Sequence, residues 1–354
     1  MYNGGGSMKK QKYRDAMKKH LDCVKYYNLN RPKTYQGEYS LFIIMGGRGI
    51  GKTTNLKIDC FYDWIDNDNE FMYVRRWGKE TRLQKNLMDS VIDNVQFIGD
   101  GNDGGMYMID KQRIGWLLAL ANQDKYKSVD FEKVKTMVYD EAIIRRSATH
   151  RYIDNEVELF FELVSTVFRE RTDYRIFVMG NNADFFNPWI EYFNIPPLKP
   201  GQIYTDPERR IYVEYASDSP AYIEANSKTP LYAITKGTPY HSYHYKNEVL
   251  LEKQVEYVKI PQSANIIMRF LFDKYTLAMY NDNGWIYVKG YKERNDEHPR
   301  IDLYRGGIPN YEIMPLMKKF PPYATLRRAY YSEDLKYAND VALALVQQIV
   351  EMVK

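Results

Sequence analysis

The residues with the clearest chemistry form a glycine-rich segment that ends in Gly51, Lys52 and Thr53. With Gly46 at its start, the segment has the spacing of a phosphate-binding loop. Glycines let backbone N–H groups turn inward around an anion, and the lysine can reach the β- and γ-phosphates of a nucleotide. The alternative is a glycine-rich turn in front of a helix. The residues predicted to contact the nucleotide are Gly46, Gly47, Gly49, Gly51, Lys52, Thr53 and Thr54.

Two adjacent acids provide the second half of such a site. Three apolar residues lead directly into Asp140 and Glu141, which is typical of a buried strand that ends in a Walker B motif. Asp140 and Thr53 are predicted to hold Mg²⁺, and Glu141 to polarise a water for in-line attack on the γ-phosphate. The chain has no Asn-Lys-x-Asp element of the kind that reads guanine. The sequence therefore favours ATP over GTP.

Several cations could stabilise the charge of a transferring phosphoryl group. Arg48 lies inside the loop, and Lys127 precedes the Walker B strand. Arg169 and Arg171 follow a predicted helix and could project toward a neighbouring subunit. For each of these cations the alternative is a surface ion pair. Asn181, at the end of the next strand, could contact the attacking water or simply close a turn.

Alternating strands and helices are predicted to position these residues. The main strands are expected at 41–45, 71–75, 136–139 and 174–179, with helices at 53–65 and around 157–167. Short segments at 95–98, 106–109 and 114–121 predict an antiparallel excursion. The pattern indicates an α/β fold with a mostly parallel sheet.

The remaining sequence suggests the domain organisation. We expect a flexible tail at 1–7, a first domain at 8–200 that begins with a basic amphipathic helix (8–27), a linker at 201–254, and a second domain at 255–354. The first domain is expected to end near the cluster of Pro196, Pro197 and Pro200. In the second domain, 266–280 and 285–289 predict a hairpin, and 333–352 predicts a helix.

Composition sets broad limits on the protein class. The chain has 354 residues, of which 44% are hydrophobic, so each of two domains can bury a core. A net charge of +4 neither requires nor excludes nucleic acid. The two cysteines show no metal-ligand spacing, which fits a reducing, cytosolic setting. No segment approaches the run of about 18 apolar residues that a membrane span needs, so no membrane association is expected.

Taken as a set, these motifs resemble a known family. Segments 46–53, 73–76, 138–141, 166–171 and 181–188 come in the order and spacing of the phi29-like phage DNA-packaging ATPases. The resemblance implies a P-loop ATPase domain of the additional-strand, conserved-glutamate (ASCE) group. It also implies a C-terminal ribonuclease-H-like α+β domain without nuclease activity.

The resemblance further implies a homopentameric ring in the host cytoplasm, docked at the portal of an empty capsid, that pumps double-stranded DNA inward with ATP. Whether a structural RNA helps to dock the ring stays open. Arg169 matches a trans-acting arginine finger, and Lys127 a second basic residue that acts on the neighbour's site. Tyr27 and Asn28 resemble a segment near the adenine. The residues that fall on a channel-facing segment, and would contact DNA phosphates, are Lys79, Arg82 and Lys85.

Other functions remain open from the sequence. An active nuclease would need clustered carboxylates, for which only Asp273, Asp302 and Asp340 are candidates; a structural or docking domain is the favoured alternative. His241 and His244 form no metal set with a third ligand. Competing activities are a helicase or other nucleic-acid remodelling ATPase, and a nucleotide-dependent kinase or switch that binds no DNA.

Overall fold

The computed structural model places the chain in two compact units, Met1–Leu250 and Leu251–Lys354. The residues that it describes are 4–17, 27–29, 32, 37–100, 103–144, 152–181, 187–196, 198–238, 240–241, 245, 257–305, 308–310, 312–332 and 334–353. Among these residues, no helix has both the length and the apolar character needed to cross a membrane.

The first unit is built on a nine-stranded sheet with the order β3-β4-β5-β2-β6-β7-β1-β9-β8. Its strands are β1 (Leu41–Gly46), β2 (Glu70–Arg75), β3 (Gln96–Ile98), β4 (Gly104–Ile109), β5 (Gln112–Ala119), β6 (Val134–Ile143), β7 (Arg175–Gly180), β8 (Ile203–Asp206) and β9 (Ile211–Ala216). The six strands from β5 to β9 in this order are mutually parallel, while β3, β4 and β8 pair antiparallel at the two edges. The predicted parallel sheet and its antiparallel excursion are confirmed.

Apolar side chains cover both faces of this sheet. Along β1, Phe42 and Ile44 belong to one buried cluster, whereas Ile43 and Met45 belong to the other. Burial on both faces explains why the strand is a continuous apolar run. The helices of this unit are α1 (Gly4–Met17), α2 (Lys52–Asn67), α3 (Gly78–Leu83), α4 (Glu156–Phe168), α5 (Pro188–Phe193), α6 (Pro220–Ser227) and α7 (Pro230–Thr235), with 3₁₀ helices at Leu87–Ser90 and Leu120–Tyr126.

The sheet continues past residue 200, so the expected domain end near Pro200 is wrong. β9 lies beside β1 in parallel register, with Ile43 opposite Val213, and β8 returns antiparallel to β9. The proline cluster marks the approach to this edge hairpin. Edge strand β8 is only partly buried, and its weak apolar character suggested a linker.

The N-terminal helix also differs from the prediction. It begins at Gly4, inside the segment expected to be a flexible tail, and buries Tyr13 and Met17 in the core of the first unit. The second half of the predicted helix, which includes Leu21 and Val24, lies outside the described residues.

The second unit has a five-stranded sheet with the order β13-β10-β11-β12-β16. Its elements are β10 (Asn265–Leu271), β11 (Thr276–Asp282), β12 (Trp285–Tyr291), β13 (Arg300–Asp302), β16 (Lys336–Tyr337), a small pair β14 (Tyr304–Arg305) and β15 (Ile308–Pro309), and helices α8 (Met314–Met317), α9 (Pro321–Tyr331) and α10 (Asp340–Met352). The segment 266–280, predicted as the first part of a hairpin, therefore contains two antiparallel strands. The predicted turn before β12 is confirmed, with positive φ at Asn283 and Gly284.

The last helix begins at Asp340, later than predicted. Asn339 sets this start, because its Oδ1 accepts hydrogen bonds from Ala342 N (2.9 Å) and Gly290 N (3.1 Å). Leu335 precedes the helix and is buried in the same core. Because its side chain is apolar, Leu335 fits the helical spacing of the sequence. The two residues that follow it nevertheless form β16.

Candidate active site

The phosphate loop joins β1 to α2 at the carboxyl edge of the parallel strands. At Gly46 a Cβ atom would lie 2.9 Å from the carbonyl oxygen of Ala216 on β9, so this position requires glycine. Gly51 has a φ of 90° and is the N-cap of α2, a conformation that glycine adopts without strain. The N-terminus of a 16-residue helix thus points at the loop, as in anion sites.

Lys52 lies folded over this loop. Its side chain is 7% exposed, and Nζ donates to the carbonyl oxygens of Gly46 (3.0 Å) and Gly47 (2.7 Å). Burial lowers the pKa of Lys52 to about 8, although Asp140 and Asp218 act in the opposite direction. A bound phosphate would supply the negative charge that the buried amine lacks.

The predicted magnesium ligands come together. The Thr53 hydroxyl donates to Asp140 Oδ1 at 3.2 Å. The other carboxylate oxygen accepts a hydrogen bond from the Tyr73 hydroxyl and lies 3.5 Å from Nη1 of Arg75. One carboxylate and one hydroxyl beside a phosphate loop form the kind of oxygen ligand set that Mg²⁺ uses together with nucleotide phosphates.

Glu141 projects from an irregular point of β6. Its φ is 52°, and the pairing of β6 with β7 shifts between Tyr139 and Ile143. A left-handed conformation at a non-glycine residue costs free energy, and such strain is common at functional sites. The side chain is 50% exposed, and its Oε2 accepts a hydrogen bond from Nη2 of Arg75 at 2.5 Å.

Arg75 is the functional residue that sequence reasoning missed beside Glu141. Val74 on β2 lies opposite Tyr139 on β6, which brings Arg75 next to the two acids. Burial acts to lower the pKa of Arg75, but the neighbouring Glu141 and Asp140 carboxylates raise it by more. The pKa of Arg75 therefore lies above its usual value. The sequence signals for Arg75 are its place at the end of an apolar strand and its membership of segment 73–76 in the family resemblance, neither of which assigns it a role.

A buried ion pair supports the strained segment from behind. Arg76 is 2% exposed and donates to both carboxylate oxygens of Glu156, at 2.6 and 2.8 Å. It also donates to the carbonyl oxygens of Glu141 (3.2 Å) and Ala142 (2.9 Å). The Tyr139 hydroxyl donates to Glu156 at 2.7 Å. This network fixes the backbone on which Glu141 is carried.

A second missed residue, Tyr222, braces the phosphate loop from the side of β9. Its hydroxyl donates to the Arg48 carbonyl oxygen at 2.6 Å, and its ring lies against Gly49. Ser219 caps α6 by accepting a hydrogen bond from the Tyr222 N–H at 3.2 Å. The sequence predicts a linker over this segment and therefore assigns Tyr222 no role.

Other predicted nucleotide contacts lie around the same edge. Asn181 follows β7, the strand between β1 and β6, and is half-buried. Tyr27 is buried against β9, where its hydroxyl donates to Glu214 at 3.1 Å, while Asn28 is exposed. Asp218, for which the sequence predicts no role, follows β9; burial raises its pKa to about 6, and its Oδ1 has no hydrogen-bond partner among the described residues.

Arg169 and Arg171 have different surroundings in the structure. Arg171 donates to several backbone carbonyls, including Val134 O (2.9 Å) and Phe131 O (3.2 Å) at the start of β6, so its role is structural. Arg169 is exposed, two residues away. The phosphate loop lies at the opposite ends of these strands, about 20 Å away at 3.3 Å per residue. Arg169 therefore does not join the active site of its own subunit.

The other predicted cations lie at the surface. Lys127 is exposed and paired with Asp124, and Arg48 is exposed within the loop. Lys79 and Arg82 are exposed on α3, whereas Lys85 lies beyond the end of this helix with Nζ 5.8 Å from the Phe97 ring centroid. Leu83, 82% exposed, lies among them.

In the second unit the candidate metal ligands do not converge. Asp273 lies in the turn after β10 rather than on a strand, Asp302 is paired with Arg294, and Asp340 is the first residue of α10. No group of three or more His, Cys, Asp or Glu residues in the described parts of the chain could hold a metal ion. His241 is buried beside Tyr232 and Tyr245, and His244 lies outside the described residues.

Comparison with known proteins gives consistent matches. The family model for podovirus DNA encapsidation proteins (Gp16) matches residues 21–299. The DNA packaging protein of Bacillus phage phi29 is 27% identical over 272 residues, 76% of this chain and 80% of that protein. The solved bacteriophage phi29 genome packaging motor assembly covers 93% of this chain and 99% of that one, with a TM-score of 0.63 and 22% identity. Because the family model spans most of its length, the chain belongs to the podovirus DNA encapsidation protein family.

Proposed function

We propose that this protein is an ATP-driven motor that translocates double-stranded viral DNA into a preformed capsid. The observation that carries the proposal is the convergence of Lys52, Thr53, Asp140 and Glu141 at one sheet edge, in a member of a DNA encapsidation family. These four side chains have the types and positions that ATP hydrolysis requires.

Binding begins at the phosphate loop. Lys52 would exchange its two carbonyl acceptors for phosphate oxygens. The buried ammonium group would then have negatively charged partners. Thr53 and Asp140 would hold Mg²⁺, which supplies positive charge to the transferring phosphoryl group. Asn181, at the end of the strand between the two motifs, would contact the γ-phosphate and report its presence.

Hydrolysis requires Glu141 to act on water. Its Oε2 accepts a hydrogen bond from Nη2 of Arg75 at 2.5 Å, so this oxygen is occupied in the ligand-free site. We infer that Glu141 leaves Arg75 when it accepts a proton from the attacking water. The half-exposed side chain and its irregular backbone allow such a movement.

A neighbouring subunit would complete the site. Arg169 lies at the sheet edge opposite its own phosphate loop and has no ion pair in the described part of the chain, so we infer that it reaches the next subunit's nucleotide. Lys127 would act in the same direction. A closed ring supplies such contacts to every site, and we propose a homopentamer at the capsid portal in the host cytoplasm.

DNA would be held through its phosphates. Lys79 and Arg82 lie on α3, and Lys85 lies just beyond it. This helix follows β2 directly, so the three positive charges lie near the sheet edge that carries the active site. Phosphate contacts give a sequence-independent, salt-sensitive grip. The ribonuclease-H-like description of the second unit, its lack of nuclease activity and the involvement of a packaging RNA stay predictions.

The test combines DNA stimulation with mixed subunits. Long double-stranded DNA should raise the ATPase rate of the assembled protein, and neither variant, Lys52→Ala or Arg169→Ala, should be stimulated alone. Mixing the two variants should restore activity, because one subunit supplies the intact loop and its neighbour the arginine. No stimulation by duplex DNA would contradict the motor, and unwinding of a forked duplex would favour a helicase.

A further inference from the structure

The turn that carries Arg169 has a backbone conformation that arginine rarely adopts. Arg169 has a φ of 50° and a ψ of −119°, and the Arg171 N–H donates to the Phe168 carbonyl oxygen at 2.9 Å. Residues 168–171 therefore form a β-turn whose first central residue has nearly the type II′ geometry, in which glycine is the favoured residue. A residue with a Cβ atom is strained in this conformation. An arginine at a position that suits glycine points to a function for its side chain.

The Arg171 side chain holds this turn in place. Its guanidinium donates to the carbonyl oxygens of Val167 (2.6 Å) and Phe168 (3.3 Å) at the end of α4. The same group donates to the carbonyl oxygens of Phe131 (3.2 Å) and Val134 (2.9 Å) beside the start of β6. Arg171 thus ties the end of α4 to the start of β6, with a planar set of donors that a lysine does not have.

Aromatic packing holds the two ends of the turn together. The buried ring of Phe168 stacks on Tyr174, with ring centroids 4.1 Å apart and an interplanar angle of 6°. The Arg171 guanidinium carbon lies 5.2 Å from the centroid of the Phe168 ring. Between these anchors, Arg169 and Glu170 are exposed. The turn is therefore held at its base, while Arg169 lies at its exposed tip.

This anchoring matters for a group that acts outside its own subunit. A loose loop would have to be ordered each time its arginine reached a neighbouring nucleotide, and ordering costs conformational entropy. A turn that is already held in one backbone geometry avoids that cost, and catalysis is sensitive to displacements of about 1 Å. The contacts of Arg171 favour the turn that the strain at Arg169 opposes.

We propose that Arg171 is a positioning residue that holds Arg169 in a strained turn, and that this turn presents the Arg169 guanidinium in a preorganised geometry to the nucleotide of the neighbouring subunit. The inference rests on the proposed intersubunit role of Arg169 and adds the device that makes this role effective. The two arginines then have separate tasks, one at the neighbour's phosphates and one on the backbone of its own subunit.

The first test compares two arginines that bind backbone carbonyl groups. Arg171→Lys keeps the positive charge but cannot reproduce the contacts on both sides of the turn. It should lower the maximal DNA-stimulated ATPase rate by up to about 10²-fold and retain nucleotide affinity, because the phosphate loop is untouched. The matched control is Arg210→Lys, which changes an arginine that donates to the carbonyl oxygens of Gly37 and Glu38. The control should turn over ATP like the wild type.

Mixed subunits separate a positioning role from a general structural one. Arg171→Lys has an intact phosphate loop, so mixing it with Lys52→Ala, which has an intact turn, should restore activity. Mixing it with Arg169→Ala should restore none, because neither subunit then presents the arginine. Absence of rescue by Lys52→Ala would assign the defect to the variant's own site or fold and overturn the inference.

Glycine substitution tests the strain. Arg169→Gly should have a higher unfolding midpoint than Arg169→Ala, although glycine in place of alanine normally lowers stability, and both variants should be inactive alone. The control position is Glu170, which is exposed in the same turn and has no positive φ. There, glycine should give a lower midpoint than alanine. A lower midpoint for Arg169→Gly than for Arg169→Ala would overturn the strained turn.

Two outcomes distinguish this inference from the proposed function. Wild-type turnover by Arg169→Ala would overturn the intersubunit role of Arg169, and this inference with it. Wild-type turnover by Arg171→Lys, beside an inactive Arg169→Ala, would overturn the positioning role alone and leave the proposed motor mechanism standing.

Discussion

Both units carry acidic residues at or beside the ends of secondary-structure elements, but only the first unit brings such residues together in one site. In the first unit, parallel strands carry the phosphate loop after β1 and Asp140 after the core of β6 to the same edge, where Thr53 and Asp140 are 3.2 Å apart. In the second, the antiparallel meander of β10, β11 and β12 sends successive strand ends to opposite edges. Strand direction, more than acid content, decides where a catalytic group of carboxylates can form.

Each unit has an arginine–carboxylate ion pair, and the two pairs differ in burial. Arg76 and Glu156 are buried together and hold backbone beside the active site. Arg294 and Asp302 form a partly exposed pair in the second unit. Breaking a buried pair leaves an uncompensated charge, whereas an exposed pair exchanges its partner for water. Burial therefore makes the first pair essential and the second dispensable.

The largest contrast is expected in catalysis. Glu141→Gln should lower ATP turnover by about 10²–10⁴-fold, because the amide cannot accept a proton. Nucleotide affinity should be retained, since the phosphate loop is untouched. Phosphate release and binding of a fluorescent nucleotide measure the two effects. Asp302→Asn is the matched change in the second unit and should leave turnover at the wild-type level. Normal turnover by Glu141→Gln would remove this residue as the base.

Stability should show the next largest contrast. Glu156→Gln should cost about 3–5 kcal/mol of unfolding free energy, because Arg76 keeps a buried charge without its carboxylate partner. Asp302→Asn should change stability by no more than about 1 kcal/mol. Denaturant unfolding, followed by a probe on each unit, measures both. Similar costs for the two variants would mean that burial does not distinguish the pairs.

The sequence predicted the parts of the active site that local patterns encode. The phosphate loop, Thr53 and the Asp140-Glu141 pair each follow from short motifs at strand ends, and the structure places them together. Arg75 and Tyr222 could not be assigned in this way. Their contacts depend on β2 pairing with β6 and on β9 pairing with β1, which are long-range pairings that no local motif specifies.

The same limit explains the errors in the fold. Arg169 and Arg171 have nearly the same sequence context, yet only Arg171 reaches the backbone at the start of β6. The edge strand β8 has too few apolar residues to be recognised as part of a sheet. Pairing with β9 makes β8 part of the sheet, and contact with β6 gives Arg171 its partners, so neighbours in space decided both cases.

Burial of a lysine also distinguishes the two units and should make nucleotide binding depend on pH. The buried Lys52 has a pKa of about 8, below its usual 10.5, whereas Lys318 in the second unit is exposed. Phosphate stabilises the ammonium form, so binding above pH 8 must take up a proton, and affinity should fall by up to about tenfold per pH unit. The contribution of Lys52 to the stability of the ligand-free fold has the opposite trend: its cost is present below pH 8 and is relieved as pH rises toward 10.5.

Calorimetry in buffers of different ionisation enthalpy measures this proton uptake directly. Lys52→Met should take up no proton at this position, which separates its titration from that of Asp218, whose pKa is about 6. Equal uptake by the wild type and Lys52→Met near pH 9 would assign the proton to another group.

The smallest contrast concerns a single hydroxyl in each unit. Tyr222→Phe leaves the Arg48 carbonyl without its 2.6 Å donor, a loss of about 1 kcal/mol, so nucleotide affinity should fall by about fivefold with little change in maximal turnover. Tyr323→Phe removes a buried hydroxyl that has no partner among the described residues, and both nucleotide affinity and stability should be retained. Titration of a fluorescent nucleotide against both variants tests the pair. If Tyr222→Phe bound nucleotide as tightly as Tyr323→Phe, the brace from α6 would have no part in shaping the phosphate loop, and the loop's geometry would be set by β1, β9 and α2 alone.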